Sequence, residues 1–290
     1  MQKESVPSLG LLLIAVAFFS SFYFFGLYRQ QIIETENTRI LSQELKERQT
    51  VMEALSIIAP TVLVYDSTTD TILYAKNPFE PRPLASLTKI ATAFITLENQ
   101  DLSTVITVDS NTIDTFGETQ FLSGETWNIP DLITILLMTS SNEAAHMLTD
   151  FPPTLPYFPR LKFTNPAGLD EDVVNGKIPG ATGSAYDIAR LAERFVSKYP
   201  EYALVTTREF VDVSVGTRIY HAKNTNEWIA KMPNLAISKT GYTDLAGGNL
   251  LIGYYTEDEH LIIIVVLGST KEGRFKDVES LLSTSRTLFP

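Results

Sequence analysis

The chain has 290 residues, 44% of them hydrophobic and 20% charged, a balance that allows one large domain or two modest ones with a substantial core. A net charge of −11 excludes a general nucleic-acid binder, because phosphate contacts need clustered Lys and Arg. The absence of cysteine excludes disulfides, a thiol nucleophile and cysteine metal sites. The three histidines, His146, His221 and His260, are far apart and stand in no metal-ligand spacing, so no metal is expected.

Leu9 to Tyr28 is an uncharged apolar run. At 1.5 Å per residue a helix of that length reaches about 30 Å, the thickness of a bilayer's hydrocarbon core. Its aromatic residues crowd toward the C-terminal end, where an interfacial belt would lie. A cleaved signal peptide would have a shorter apolar core and a small-x-small site after it, and the run ends instead in Phe24-Phe25-Gly26-Leu27-Tyr28-Arg29. Residues 1–28 are therefore expected to form a cytoplasmic tip and one uncleaved transmembrane signal-anchor. Residues 29–56, rich in Glu, Gln, Arg and Thr and free of Gly and Pro until Pro60, read as a polar helical stalk.

Residues 57–290 read as the folded domain. Thr61–Tyr65 and Thr71–Ala75 are β-prone, and Asp66-Ser67-Thr68-Thr69-Asp70 between them supplies turn chemistry, which predicts a hairpin. Leu87, Ile90, Ala91, Phe94 and Ile95 repeat with helical spacing and one apolar stripe. Ile129–Met138 and Asn142–Leu148 are helical stretches separated by Thr139-Ser140-Ser141. Phe151–Pro159 is broken by prolines and excludes a helix. Ala185–Tyr199 is helical, Leu250–Tyr255 and Leu261–Leu267 are β-prone, and Asp277–Leu288 fits a closing helix. Strands at both ends with helices between them predict an α+β fold whose central antiparallel sheet is completed by both ends of the domain and flanked by helices.

Three short motifs could carry chemistry. Ser86-Leu87-Thr88-Lys89 puts a hydroxyl and an amine three apart, on one face of a helix and beside its positive N-terminal end. A lysine there can act as a base if burial or a second cation lowers its pKa. Ser140-Ser141-Asn142 offers a hydroxyl and a carboxamide on a helix–helix link. Lys239-Thr240-Gly241 offers a cation, a hydroxyl and a residue that lets other groups approach the backbone. Each alone is unremarkable: an N-cap with a solvated lysine, a turn, a strand end.

In this order, S-x-x-K, S-x-N and K-T-G form the motif set of penicillin-binding proteins and serine β-lactamases. Leu73-Tyr74-Ala75-Lys76-Asn77, Phe163-Thr164-Asn165-Pro166-Ala167-Gly168-Leu169-Asp170, Asn224-Thr225-Asn226 and Ala246-Gly247-Gly248-Asn249-Leu250 narrow the resemblance to the D-alanyl-D-alanine carboxypeptidase family. It covers residues from about 60 to 288. It implies a β-lactamase/transpeptidase-like fold with a helical subdomain, and a serine peptidase that trims peptidoglycan stem peptides, is acylated by β-lactams and needs no cofactor.

The resemblance also implies roles. Ser86 is the acylated nucleophile, Lys89 its base, and Ser140 the proton relay to the leaving D-alanine. Asn142 holds the peptide. Lys239 keeps the site electropositive, and Thr240 and Arg274 meet the substrate carboxylate. Gly241 belongs to the same strand end, and the backbone N–H groups of Ser86 and Tyr242 form the oxyanion hole. The substrate implies an extracytoplasmic domain held at the bacterial cytoplasmic membrane.

The sequence departs from the family at Ala167, where relatives usually carry His, and in the short, proline-broken stretch between Asn142 and Asn165. A β-lactamase would need a Glu-x-x-Leu-Asn loop to activate water, and none lies between Asn142 and Lys239. An endopeptidase of the same family and a catalytically weak peptidoglycan-binding scaffold remain the alternatives.

Overall fold

The computed structural model describes residues 9–110, 121–149, 154–155 and 157–290, with 9–17, 19–22, 37 and 154 described by backbone alone. The chain divides into two compact units, 1–51 and 52–290. The described part of the first is all helix, and that helix, α1 (Leu9–Glu53), ends two residues beyond it. Among the described residues no helix is long and apolar enough to cross a membrane. The expected spanning run Leu9–Tyr28 falls largely on residues whose side chains lie outside that description.

The second unit is built on a five-stranded antiparallel sheet. Its strands are β1 (Thr61–Asp66), β2 (Thr71–Lys76), β13 (Leu235–Thr243), β14 (Gly247–Tyr255) and β15 (Leu261–Ser269), in the order β13-β14-β15-β1-β2. The expected hairpin is β1–β2. Asp66 closes its turn by accepting from the N–H groups of Thr68 and Thr69. The run Leu-Ile-Ile-Ile-Val-Val-Leu makes β15 the central strand, because only a strand covered on both faces can be apolar throughout. On one face Leu261, Ile263, Val265 and Leu267 share a core with Ile188, Leu191 and Phe195 of α5 (Ala185–Lys198). The other face carries α7 (Gly273–Leu288), which begins four residues before the expected Asp277.

The helical side holds α2 (Thr88–Asn99), α3 (Ile129–Met138), α4 (Asn142–Leu148) and the short α6 (Pro200–Val205). The first three match the expected stretches. Asn128 caps α3 by accepting from the Asp131 N–H, with Pro130 in the first turn, where its missing N–H costs nothing. Ser184 and Asp187 form a reciprocal capping box at the start of α5.

Sequence patterning missed the smaller strands. β3 (Arg82–Pro83), β6 (Thr154–Leu155), β7 (Phe158–Phe163) and β10 (Ala181–Gly183) form a second sheet in the order β3-β10-β7-β6. Three ribbons complete the unit: β4 (Val105–Thr107) with β5 (Thr126–Asn128), β8 (Glu171–Val173) with β9 (Gly176–Ile178), and β11 (Phe210–Val215) with β12 (Arg218–Lys223). The observed class is a mixed helix-and-sheet fold with a central antiparallel sheet.

The start of the sheet is tied to its covering helix through Asp277, which is 2% exposed. Its carboxylate accepts from the N–H groups of Ile58 and Ala59 and from the Ser269 hydroxyl, at 2.9, 3.0 and 2.6 Å. Asp277→Ala leaves three donors unpaired, those of Ala59 and Ser269 buried and that of Ile58 partly so. It should cost about 3 kcal/mol, a fall in Tm of roughly 5–10 °C for a unit of this size. An unchanged thermal midpoint would show that these contacts carry no stability.

Candidate active site

Ser86 sits on a single 3-10 turn, Ala85–Leu87, just before α2, and its side chain caps nothing. Ala85 holds φ +48°. A non-glycine residue in that region is strained and persists only where its surroundings enforce it. Here they do. The Leu84 N–H donates to the Ala181 carbonyl of β10, and the Leu84 and Pro83 carbonyls each accept from the Asn249 amide of β14 at 3.0 Å. The turn is pinned from both sheets.

Lys89, one helical turn on, is fully buried. Its Nζ lies 2.9 Å from Ser86 Oγ, 2.9 Å from Asn142 Oδ1 and 2.8 Å from the Ala167 carbonyl. Burial first, and the nearby Lys239 charge second, hold its pKa well below that of an ordinary lysine; Glu143 opposes them.

Ala167 belongs to the loop 164–169, folded around Asn165. The Asn165 carboxamide accepts from the N–H groups of Gly168 and Leu169 and donates to the Leu169 carbonyl and to Glu171. Gly168 has φ +73°, and a Cβ there would stand 2.1 Å from the Ala85 carbonyl oxygen, so only glycine lets this loop lie against the Ser86 turn. Where the resemblance leads one to expect His, Ala167 contributes its carbonyl, while its methyl is buried in the core.

The opposite wall comes from α4 and β13. Ser140, also at positive φ (+60°), presents its hydroxyl 3.0 Å from Lys239 Nζ, which also donates to the Thr240 carbonyl. Burial, then the Arg274 charge, push Lys239 down to about 7. Thr240 Oγ1 is 2.8 Å from Thr225 Oγ1. Arg274, at the start of α7, donates through Nη1 to the Gly241 carbonyl at 2.7 Å, and its buried Nε has no partner among the described residues. Gly241 again serves close approach: a Cβ would lie 3.0 Å from the Leu84 carbonyl oxygen and 3.2 Å from Ser86 N. Tyr242, 44% exposed, stands one residue before the end of the strand, at the rim, with Lys271 Nζ 5.5 Å from its ring centre.

All nine residues singled out in the sequence therefore come together where β13, the Ser86 turn and the start of α4 meet. Thr225 and the Ala167 carbonyl were not foreseen as parts of the site. Thr225 had a signal, since Asn224-Thr225-Asn226 was already noted for its resemblance, but a backbone carbonyl leaves no trace in side-chain chemistry. Among the described residues no group of three His, Cys, Asp or Glu could hold a metal. A buried amine of lowered pKa against a serine hydroxyl, beside a second buried lysine, is equipped for acyl transfer to serine from a substrate bearing an anion.

This chemistry defines a Ser–Lys acyl-transfer enzyme, and comparison with known proteins gives its family. The profile of the D-alanyl-D-alanine carboxypeptidase family matches residues 47–153 and 159–271. The chain is 26% identical over 237 residues to a D-alanyl-D-alanine endopeptidase of Escherichia coli, covering 78% of this chain and 76% of that one. It is 26% identical over 253 residues to a D-alanyl-D-alanine carboxypeptidase of Salmonella typhimurium, covering 81% of this chain and 64% of that one, so it spans just under two thirds of that relative. The cefotaxime-bound penicillin-binding protein D2 of Listeria monocytogenes superposes with a TM-score of 0.64 at 25% identity, over 79% of this chain and 98% of that one. The chain belongs to the D-alanyl-D-alanine carboxypeptidase family of serine peptidases.

The two lysines set opposite limits on pH. Lys89 must be neutral to take a proton, so activity rises as pH passes its lowered pKa; Lys239 must stay charged to attract an anion, so activity falls as it deprotonates. The expected kcat/KM profile is a bell whose alkaline limb lies near pH 7. A bound carboxylate stabilises the Lys239 ammonium, so the alkaline limb of kcat should lie at higher pH. Coincident alkaline limbs would show that Lys239 does not face the substrate's charge.

Proposed function

We propose that this protein is a membrane-anchored serine D-Ala-D-Ala carboxypeptidase acting on peptidoglycan stem peptides outside the cytoplasmic membrane. One observation carries the reading: a lysine stripped of solvent, with its Nζ 2.9 Å from Ser86 Oγ. Ser86 Oγ attacks the carbonyl carbon of the penultimate D-alanine and passes its proton to Lys89 Nζ. The oxyanion meets the backbone N–H groups of Ser86 and Tyr242. The carbon–nitrogen bond then breaks, and the departing D-alanine amine receives a proton through Ser140. Asn142 holds the peptide, while Lys239, Thr240 and Arg274 receive its terminal carboxylate beside the bare backbone of Gly241. Water then cleaves the ester, freeing Ser86 and the shortened peptide.

A β-lactam undergoes the same attack, and its ring-opened acyl group stays on the serine because no glutamate loop activates a water against it. Intact-mass spectrometry should show one penicillin adduct on the wild type and none on Ser86→Ala. A wild type that gains no mass would overturn the catalytic reading. The Escherichia coli relative is named an endopeptidase, so cross-linked peptide dimers are the second substrate to assay.

The topology rests on the length of the apolar run Leu9–Tyr28, the lack of a small-x-small site after it, and a substrate that lies outside the membrane. A helical stalk from Arg29 to Leu55 would reach about 40 Å. Amino-terminal sequencing of the membrane fraction should return the intact start of the chain. A soluble product starting near residue 20 to 30 would show the run to be a cleaved signal peptide.

A further inference from the structure

In the order β13-β14-β15-β1-β2, β13 is an edge strand, hydrogen-bonded within the sheet to β14 alone. Its Gly241 passes against the Ser86 turn, where a Cβ would lie 3.2 Å from Ser86 N. The next residue is Tyr242, whose N–H supplies half of the oxyanion hole named above. Such a donor is effective only if it is held within about 0.5 Å of its productive position. A strand end with one neighbour is a weak support for it.

Asp170 holds that end from outside the sheet. Its Oδ1 accepts from the Thr243 hydroxyl at 2.9 Å and its Oδ2 from the Leu245 N–H at 3.0 Å. Thr243 Oγ1 in turn accepts from the Ala246 N–H at 3.2 Å, so carboxylate and hydroxyl together close the turn between β13 and β14. Asp170 directly follows the loop 164–169, which presents the Ala167 carbonyl to Lys89 and lies against the Ser86 turn at Gly168. A circuit therefore closes around the nucleophile. It runs from Lys89 through the Ala167 carbonyl to Asp170, across to Thr243, and back along β13 through Tyr242 and Gly241 to the Ser86 turn.

We propose that Asp170 is a positioning residue, which clamps the end of β13 to the loop that holds the base and so sets where the Tyr242 N–H meets the oxyanion. The proposal rests on the catalytic reading above and adds the group that aligns one of its two oxyanion donors. None of Asp170's hydrogen bonds among the described residues reaches Ser86, Lys89 or Lys239, so it acts through the strand. The two sides of the clamp differ in stiffness. The loop is fixed on its own account by the Asn165 carboxamide, which bonds to Gly168, Leu169 and Glu171. Without the Asp170 carboxylate the loop keeps those contacts, while the strand end is left with β14 alone. The oxyanion donor shifts and the base stays.

The variants are made in the full-length protein. Asp170→Ala should lower the limiting rate of penicillin acylation about ten- to hundredfold, the scale of a displaced oxyanion donor. The half-saturating penicillin concentration and the acid limb of the pH profile should stay at wild-type values. Hydrogen bonds from the oxyanion hole weaken the C=O bond of the acyl-enzyme ester, so its infrared band should move to higher wavenumber in Asp170→Ala. Asp170→Asn can accept from the Leu245 N–H and donate to Thr243 Oγ1, and it should restore most of the rate and the band. Thr243→Val removes one of the two contacts and should give a smaller change in the same direction; it decides the matter if Asp170→Ala does not fold. An unchanged rate, or a slower rate with an unmoved band, would overturn the proposal. So would an Asn variant as slow as the Ala variant, because it would trace the effect to charge. Failure of the catalytic reading is a separate result, a wild type that takes no acyl group. Hydrogen exchange across residues 238–246 still decides the clamp in that case. It should quicken in Asp170→Ala and return in Asp170→Asn, and equal exchange in all three proteins would overturn the clamp.

Discussion

The structure is organised around the removal of one primary amine from water. An isolated ammonium in a protein interior is costly enough that it gives up its proton instead. Lys89 is fully buried, and two of its three neighbours, the Asn142 side-chain oxygen and the Ala167 carbonyl, can only accept. A neutral amine has two N–H donors and one lone pair. Once the amine is neutral, its two donors can serve those carbonyl oxygens and its lone pair the Ser86 hydroxyl, 2.9 Å away. The arrangement both lowers the pKa of the base and aims it. It also explains why three separate elements must converge: α2 brings the lysine, α4 the carboxamide, and the loop 164–169 the carbonyl.

The second lysine is held on different terms. Lys239 Nζ contacts a hydroxyl and its neighbour's carbonyl, Ser140 Oγ and Thr240 O, and no carboxylate among the described residues. Arg274 beside it ends on the Gly241 carbonyl with its Nε unpaired. Burial first and the Arg274 charge second hold Lys239 down, and an arriving carboxylate opposes both. Free energy held in the empty cleft is thus released by the group that marks the substrate's end. The positive φ values of Ala85 and Ser140 are of the same kind, because strained turns present the Ser86 hydroxyl to Lys89 and the Ser140 hydroxyl to Lys239.

How much of this was legible in the sequence follows from which interactions are local. The hairpin β1–β2 and the helices α2, α3 and α4 announce themselves through periodicity and turn residues within a dozen positions. The site residues were legible because three motifs keep their chemistry in short strings. The small sheet was not, since β3, β6 and β10 are two or three residues long and exist only through pairing with distant strands. The β11–β12 ribbon was missed for a different reason: Val211, Val213 and Val215 alternate with polar residues as a strand should, but the weaker partner Arg218–Lys223 hides the hairpin. Ala167 is the sharpest case. Its side chain suggested a lost function, while the position acts through its backbone.

The small sheet also accounts for the departure between Asn142 and Asn165. Where the resemblance leads one to expect another helix, the described residues place β6 and β7, and β7 hydrogen-bonds to β10. The strand β10 is paired in turn with β3, which leads into Leu84 and Ser86. At its upper end the Thr164 N–H donates to the Gly180 carbonyl, and the Leu84 N–H to the Ala181 carbonyl. Consecutive carbonyls of one short segment therefore fix the loop that holds Lys89 and the turn that carries Ser86. A helix packed through side chains could slide by fractions of an ångström, whereas a ladder sets the register of both partners together. Pairing by strand on this side preserves the contact between the loop carbonyl and Lys89 on which proton transfer depends.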